Sequence, residues 1–156
     1  MDDSSLKYVH PRSGKTIENT FLKKSVEKSE RKLQKSGNAI SSGKIISDQS
    51  FSFWTEMFEL TYYRLLAGRP IQIFVNLPPS TSRVDILNRL TKIRKFRNRI
   101  SHYEPICFQS NNIDFTEAIN TYNTIIELVT WIDPSLIKFI KDIDSVNKKI
   151  IAASRI

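Results

Sequence analysis

The sequence predicts an all-α protein, folded as a compact antiparallel bundle of about five helices. The chain has 156 residues and is 40% hydrophobic, which at this length is enough for one core. Apolar residues recur at helical spacing along several segments, and short stretches rich in serine, glycine or proline separate those segments. We therefore expect one helical domain at residues 16–156, preceded by a flexible N-terminal tail at residues 1–15.

Two helices are predicted in the first half of the chain. The first spans residues 16–36, because Thr16 can cap its start and Gly37 can close its end. After the turn-rich stretch SGNAISSGK, a second helix is expected from near Asp48 to just before Gly68. Its aromatic residues could stack on nucleic-acid bases, but such a cluster is more typical of a core. We assign the following side chains to the core: Phe51, Phe53, Trp54, Phe58, Tyr62 and Tyr63.

Three helices are predicted in the second half. The segment IQIFVNL lies between prolines and has no obvious strand partner, so we expect an extended apolar strap laid on the bundle. PPSTS then caps a third helix. A fourth helix is expected from its cap at Asp114 to Ile132, and Asp133 followed by Pro134 starts the fifth. The fifth helix would carry one apolar set: Leu136, Ile137, Ile140, Ile143 and Ile150.

An arginine interrupts the apolar face of the third helix. The row is Ile86, Leu90, Ile93, Arg97 and Ile100. A charge buried among isoleucines is unfavourable unless it is paired, so Arg97 needs a partner or a functional role, or it reaches the surface by its long aliphatic stem. His102 follows five positions later, and Pro105 ends the helix near it. We expect an exposed imidazole, with Arg97 reaching along the same groove, an arrangement that suits a phosphate ester.

The charge of the chain favours a polyanionic partner. The formal net charge is +8 and the isoelectric point is near 9.7, values that suit nucleic acid, an acidic protein or an anionic membrane surface. Residues 83–102 form the most basic stretch. For Arg89, Lys92 and Lys95 the alternative interpretation is an ordinary solvated helix face.

Several classes of site are disfavoured by composition. One cysteine, Cys107, excludes an internal disulfide and is more typical of packing than of a nucleophile, and with two histidines it cannot complete a usual zinc site. Glu56 and Glu59 are better explained as a solvated face than as metal ligands. His10 is expected to be exposed and without a role. We expect no metal and no cofactor.

No apolar run approaches about 18 residues, and the N-terminus is acidic and polar. We therefore expect neither a membrane-spanning helix nor a secretory signal. The expected location is the cytoplasm, with no membrane among the partners.

The stretch RNRISHYEP resembles the Arg-Asn, three residues, His signature of the HEPN superfamily, in its Abi-like branch, which is associated with abortive infection of bacteria by phage. GKIISDQSFSFWTEMF resembles the segment that precedes this motif in Abi-like proteins, and RPIQIFVNLPPSTSR resembles their connector. The resemblance covers residues 32–131. One departure is Tyr103, where many Abi-like sequences have a second histidine.

The resemblance implies a metal-independent endoribonuclease that acts as a toxin or phage-defence effector. The ribose 2′-hydroxyl would attack the adjacent phosphate and leave a 2′,3′-cyclic phosphate. His102 would transfer protons and Arg97 would hold the phosphate oxygens. Asn98 is the polar companion in the motif, and Tyr103 or Glu104 would orient His102.

Further RNA contacts are expected from Arg94, Lys95 and Arg99. Because one chain supplies one Arg-His pair, the resemblance implies a homodimer that joins two motifs in one cleft, and an antitoxin or regulatory protein is a possible partner. Two alternatives stay open. One is a non-catalytic HEPN module that binds nucleotide, RNA or protein, and the other is a structural helical domain whose basic face binds nucleic acid without cutting it.

Overall fold

The computed structural model describes residues 7–9, 13–18, 20–110 and 112–153. Contacts between Cα atoms divide the chain into two compact units, Met1–Pro70 and Ile71–Ile156. The described residues contain eight α-helices and two short hairpins, so the all-α class is confirmed while the helices are more numerous and shorter than predicted. The single domain at residues 16–156 stays a prediction.

The first unit begins with a hairpin where a tail and a helix start were predicted. Strand β1, Lys7–Val9, pairs antiparallel with β2, Thr16–Glu18. Thr16 therefore does not cap a helix, because the strand ladder satisfies several backbone groups at once and a cap satisfies one or two. His10 lies outside the described residues.

Helix α1, Phe21–Lys35, ends as predicted at a glycine. Gly37 adopts a left-handed φ of +69°, and the next residue, Asn38, donates its backbone N–H to the Leu33 carbonyl at 3.0 Å. This 6→1 hydrogen bond closes the last turn, and glycine enters the left-handed conformation without a Cβ clash.

The second predicted helix is wrong as one continuous element. The chain forms two short helices there instead, α3, Phe51–Glu56, and α4, Leu60–Leu65. A further helix, α2, Ser42–Ser47, begins inside the stretch predicted to be a turn-rich connection. Ser41 and Ser50 have extended backbones, and each accepts a hydrogen bond from the backbone N–H three residues on, at 3.4 Å. Serine caps therefore mark the starts of α2 and α3. The break between α3 and α4 has no such signal, because Glu59, the N-cap of α4, makes no side-chain cap hydrogen bond.

Asp48, predicted to start the second helix, ends α2 and connects it to α1. Its carboxylate accepts hydrogen bonds from Lys32 and from the Ser29 hydroxyl, the latter at 2.8 Å. The Lys32 ammonium and the Ser29 hydroxyl together hold the pKa of Asp48 below its ordinary value. This polar contact joins α1 to the following helices.

Three of the aromatic residues assigned to the core are buried in the first unit: Phe53, Phe58 and Tyr62. The Tyr62 hydroxyl accepts the Leu22 backbone N–H at 3.4 Å, which joins α4 to the start of α1. Trp54 is 38% exposed and packs edge-on against Phe53, with ring centroids 5.1 Å apart. The predicted core cluster is therefore confirmed in part: three of its six residues are buried, two are half-buried and one is exposed.

A 3₁₀ helix, Arg69–Ile73, lies where the two units divide. It occupies the first part of the predicted strap, so the expectation of a fully extended segment is wrong. Beyond it, Phe74 is buried against Trp131, with ring centroids 6.4 Å apart, and the Asn76 N–H donates to the Trp131 carbonyl at 2.9 Å. Contacts to a helix, instead of a strand partner, hold this segment.

The rest of the second unit follows the predicted order more closely. It contains α5, Arg83–Ser101; the hairpin β3, Phe108–Gln109, and β4, Asn112–Ile113; α6, Thr116–Ile132; α7, Leu136–Ile143; and α8, Val146–Ala153. Ser82 and Asp85 form a reciprocal capping box at the start of α5, which confirms the predicted cap. None of the described helices has the length and apolar character needed to cross a membrane.

The boundaries around α6 test the remaining helix predictions. Asp114 accepts the Thr116 N–H at 2.7 Å, and α6 ends at Ile132, as predicted. The fifth predicted helix breaks into α7 and α8 at Asp144, whose backbone is extended with ψ 129°. Its carboxylate accepts the Val146 N–H at 2.8 Å and the Tyr122 hydroxyl. Those two donors lower the pKa of Asp144, the hydroxyl being the larger cause.

An ion pair that lies over an aromatic ring connects helices α5 and α6. Arg89 donates two hydrogen bonds to Glu127, at 2.8 and 3.3 Å, and its guanidinium carbon lies 4.9 Å from the Trp131 ring centroid. The Glu127 carboxylate raises the pKa of Arg89. The interpretation of Arg89 as an ordinary solvated residue is therefore wrong. This contact fixes the position of α5, and hence of its C-terminal end.

Candidate functional site

The C-terminal end of α5 carries the motif predicted from the sequence. The helix ends at Ser101 and His102 is its C-cap, with φ −98° and ψ 12°. Glu104 donates its N–H to the Arg99 carbonyl at 2.9 Å, and Tyr103 donates to the Ile100 carbonyl at 3.1 Å. This pair of hydrogen bonds is the usual closure of a helix end. The prediction that the helix stops at His102 is confirmed, and the imidazole is exposed.

Tyr103 occupies the position where such a closure favours glycine. Its φ is +57°, in the left-handed region, and its side chain is 97% exposed. A residue with a Cβ is strained in this conformation, by about 1–2 kcal/mol. No hydrogen bond joins Tyr103 to His102 in the described part of the chain, so the structure adds no support to its predicted orienting role.

Arg97 is exposed, which agrees with the alternative that its long aliphatic stem reaches the surface and not with burial among the isoleucines. Near the C-terminal end of α5 its apolar face is partly exposed to solvent, and Ile100 is 49% exposed. Among the described residues, no acceptor pairs with the Arg97 guanidinium. The burial that would have required a partner is therefore absent.

Arg97 and His102 do not share one groove, contrary to expectation. Arg97 lines an apolar groove between α5, α6 and α8, and His102 is not part of its lining. His102 lies five positions after Arg97, which on a helix corresponds to about 7.5 Å along the axis and ~140° around it. Within a single chain, the two side chains therefore leave the helix in different directions.

Arg99 and Glu104 pair with each other. The Arg99 Nε lies 3.3 Å from the Glu104 carboxylate, while its other nitrogens donate to Glu117 and, at 2.5 Å, to the Pro105 carbonyl. Arg99 thus ties the loop after α5 to α6. If Arg99 contacts RNA as predicted, its guanidinium must be shared between the RNA and these acceptors. The Glu104 carboxylate binds Arg99 and not His102.

The other predicted residues lie along α5. Lys95 and Asn98 are exposed, and Arg94 is half-buried. The Asn98 carbonyl accepts the His102 N–H at 2.9 Å, so the motif asparagine contributes its backbone to the helix end. Lys92 donates to the Asn120 carbonyl at 3.2 Å, which is a second link between α5 and α6.

The described part of the site offers few side chains that could bind a metal ion or act as a thiol nucleophile. In the described ranges, no three histidine, cysteine or carboxylate side chains come together as a metal site. Cys107 is a half-buried free thiol. Arg97 and His102 stay the residues that the sequence predicts to act on a phosphate.

Sequence reasoning missed the apolar groove itself. Phe115, Ala118, Tyr122 and Ile125 recur at helical spacing along α6 and line it together with Lys149 of α8. The spacing was visible in the sequence, but it predicts only an apolar face. Whether another helix covers that face is decided by the tertiary structure.

No family model, curated protein or solved structure matches this chain. The HEPN resemblance therefore rests on the quoted residues.

Proposed function

We propose that this protein is a metal-independent endoribonuclease of the HEPN type. The observation that carries the proposal is the state of Arg97 and His102: both are exposed at the end of α5, and neither side chain has a partner among the described residues. Arg89 and Arg99, on the same helix, are both paired with carboxylates. An arginine that no carboxylate neutralises is available to bind a phosphate through its planar fork.

The proposed reaction is an internal transfer within RNA. His102 accepts the proton of the ribose 2′-hydroxyl as its oxygen attacks phosphorus, and the bond from phosphorus to the 5′-oxygen breaks. A second histidine donates a proton to that leaving oxygen. The products are a 2′,3′-cyclic phosphate and a 5′-hydroxyl. Arg97 stabilises the negative charge that builds on the phosphorane oxygens.

Two copies of the chain supply the two histidines. Since Arg97 and His102 of one copy point in different directions, a two-fold dimer across the ends of the α5 helices would bring Arg97 of one copy toward His102 of the other. The formal charge of +8 attracts RNA to this surface. A toxin or phage-defence role in the cytoplasm, restrained by an antitoxin or regulatory protein, fits such an activity.

One observation favours the alternative, a non-catalytic HEPN module that binds RNA, nucleotide or protein. A catalytic histidine is usually held by a hydrogen bond to its second ring nitrogen. No described residue makes that bond to His102. If the partner copy or the bound RNA does not supply it, His102 contributes to binding instead of proton transfer.

The test is cleavage of a short RNA by the purified protein in excess EDTA. We expect products that end in 2′,3′-cyclic phosphate and 5′-hydroxyl, no cleavage when the nucleotide 5′ to the scissile bond is 2′-deoxy, and no cleavage of DNA. His102→Ala and Arg97→Ala should each abolish the reaction. Their matched controls are His10→Ala, at the other histidine of the chain, and Arg64→Ala, at an exposed arginine of α4.

Both inactive variants should keep the parent far-ultraviolet circular dichroism, because the two side chains are exposed and contribute little packing. Undiminished cleavage by both would leave the binding module as the better proposal. Products with a 3′-hydroxyl and a 5′-phosphate, or activity that magnesium restores after chelation, would identify water as the nucleophile and refute the roles given to the two residues.

A further inference from the structure

The apolar groove of the second unit has the size of a small-molecule site. Its volume is about 460 Å³, within the usual range for ligand pockets, and three helices contribute to its walls. Most of the lining is aliphatic or aromatic, with Ile93 and Phe96 from α5, Phe115 at the N-cap of α6, Ile125 within α6, and Ile150 from α8. A ligand with an apolar body would remove this surface from water.

The charges at the groove have one sign. Arg97 of α5 and Lys149 of α8 belong to its lining, and no aspartate or glutamate does. Neither cation has an acceptor partner among the described residues, and both side chains are exposed. An apolar groove with two uncompensated cations is complementary to a molecule with an apolar chain and an anionic head.

A buried hydroxyl in the same lining also lacks a partner. Thr121 is 1% exposed, and no described group hydrogen-bonds to its Oγ1. Two other threonines of α6, Thr124 and Thr130, donate to the backbone carbonyl four residues before them, at 2.7 and 2.8 Å. The Thr121 hydroxyl makes no such hydrogen bond to a backbone carbonyl, so it is available to another hydrogen-bond acceptor or donor.

We propose that the groove binds a medium-chain fatty acid or a closely similar amphipathic carboxylate. The chain packs against the walls, and the carboxylate binds Arg97 and Lys149 at the opening. This site goes beyond the proposed ribonuclease function, and its occupant is a small molecule, not RNA. A second copy of the chain is a poorer occupant of the groove, because it brings the same two cations against each other.

The test uses undecanoate that carries a dansyl group at its far end, with the full-length protein and no RNA. We expect saturable fluorescence enhancement with one site per chain, reversed by dodecanoate. Affinity should rise about fourfold for each methylene from octanoate upward until the groove is full. Dodecyltrimethylammonium, with the same chain and a cationic head, should not displace the probe.

Two variants locate the site. Ala118→Trp places a large ring in the groove and should abolish binding. Lys149→Gln removes one exposed cation, so we expect it to fold normally and to weaken binding about two- to fivefold. Its matched control is Lys148→Gln, at an exposed neighbour on α8 that does not line the groove; it should bind like the parent.

Three results would overturn the proposal: equal displacement by the cationic amphiphile, equal affinities of the Lys149 and Lys148 variants, or loss of binding at the protein concentration where light scattering shows association. The last result would mean that a second copy covers the groove. Because the readout needs no RNA, failure here leaves the ribonuclease proposal intact, and failure of cleavage leaves this test intact.

Discussion

Replacing Tyr103 with glycine should stabilise the protein, although tyrosine is much the larger side chain. Tyr103 follows the C-cap of α5 with φ +57°, and its side chain is 97% exposed. The substitution therefore removes almost no packing and relieves the steric strain of a Cβ in the left-handed region, which is about 1–2 kcal/mol.

An opposing term reduces the gain. Glycine has more conformational freedom in the unfolded chain, which disfavours folding by about 0.5–1 kcal/mol. The net expectation is an increase of about 0.5–1 kcal/mol in the free energy of unfolding. For a chain of this length, such a gain raises the midpoint of thermal unfolding by about 1–4 °C.

Urea denaturation followed by circular dichroism measures this change, with Tyr103→Ala as the control. Alanine removes the exposed ring but keeps a Cβ in the left-handed position, so its stability should match that of the parent. Equal gains in both variants would show that the ring, not the backbone, is unfavourable. A loss in the glycine variant would refute the account of this helix end.

Three other predictions concern the core, the assembly and acid stability. Thr121→Val should raise the free energy of unfolding by about 1 kcal/mol, because it removes a buried hydroxyl that has no partner in the described part of the chain. The Thr55 hydroxyl is equally buried but donates to a carbonyl at 3.0 Å, so Thr55→Val should lower the free energy of unfolding by about as much. Denaturation curves that move in the same direction would contradict this. Light scattering should report about twice 18.1 kDa, and a strict monomer at high micromolar concentration, with or without RNA, would exclude the shared ribonuclease site. The folded pKa values of Asp48 and Asp144 lie below the ordinary aspartate value of about 3.9. Their contribution to stability is therefore present above that pH and is lost as pH falls through the folded values. Asp48→Asn should weaken the dependence of stability on pH in acid below about pH 4, and an unchanged pH dependence would refute this account.

Local signals in the sequence were enough for several boundaries. The Ser82 cap, the end of α6 at Ile132 and the stop of α5 at His102 all depend on contacts within a few residues, namely caps and a nearby proline. The all-α class followed from helical periodicity. Such features could be predicted because the interacting groups are neighbours along the chain.

The missed elements depend on groups that are distant in sequence, or on competition between two local signals. Thr16 has the chemistry of a cap but pairs as a strand with Val9. The apolar pattern after Asp48 continues without interruption, although α3 ends at Glu56 and α4 begins at Leu60. The final predicted helix broke at Asp144, which binds Tyr122 twenty-two residues away. A pattern along the chain does not report these partners.

For the candidate site as well, some features could be predicted from the sequence and others only from the tertiary structure. By itself the sequence determined that Arg97 and His102 lie near the end of a basic helix, and it predicted them as the residues that act on a phosphate. Only the tertiary structure decided that Arg97 is exposed with no acceptor partner among the described residues, that Arg99 and Glu104 bind each other, and that an apolar groove lies beside Arg97. The physical reason is that residue types and their spacings define the available chemistry, whereas solvent access and pairing depend on which helices pack against one another.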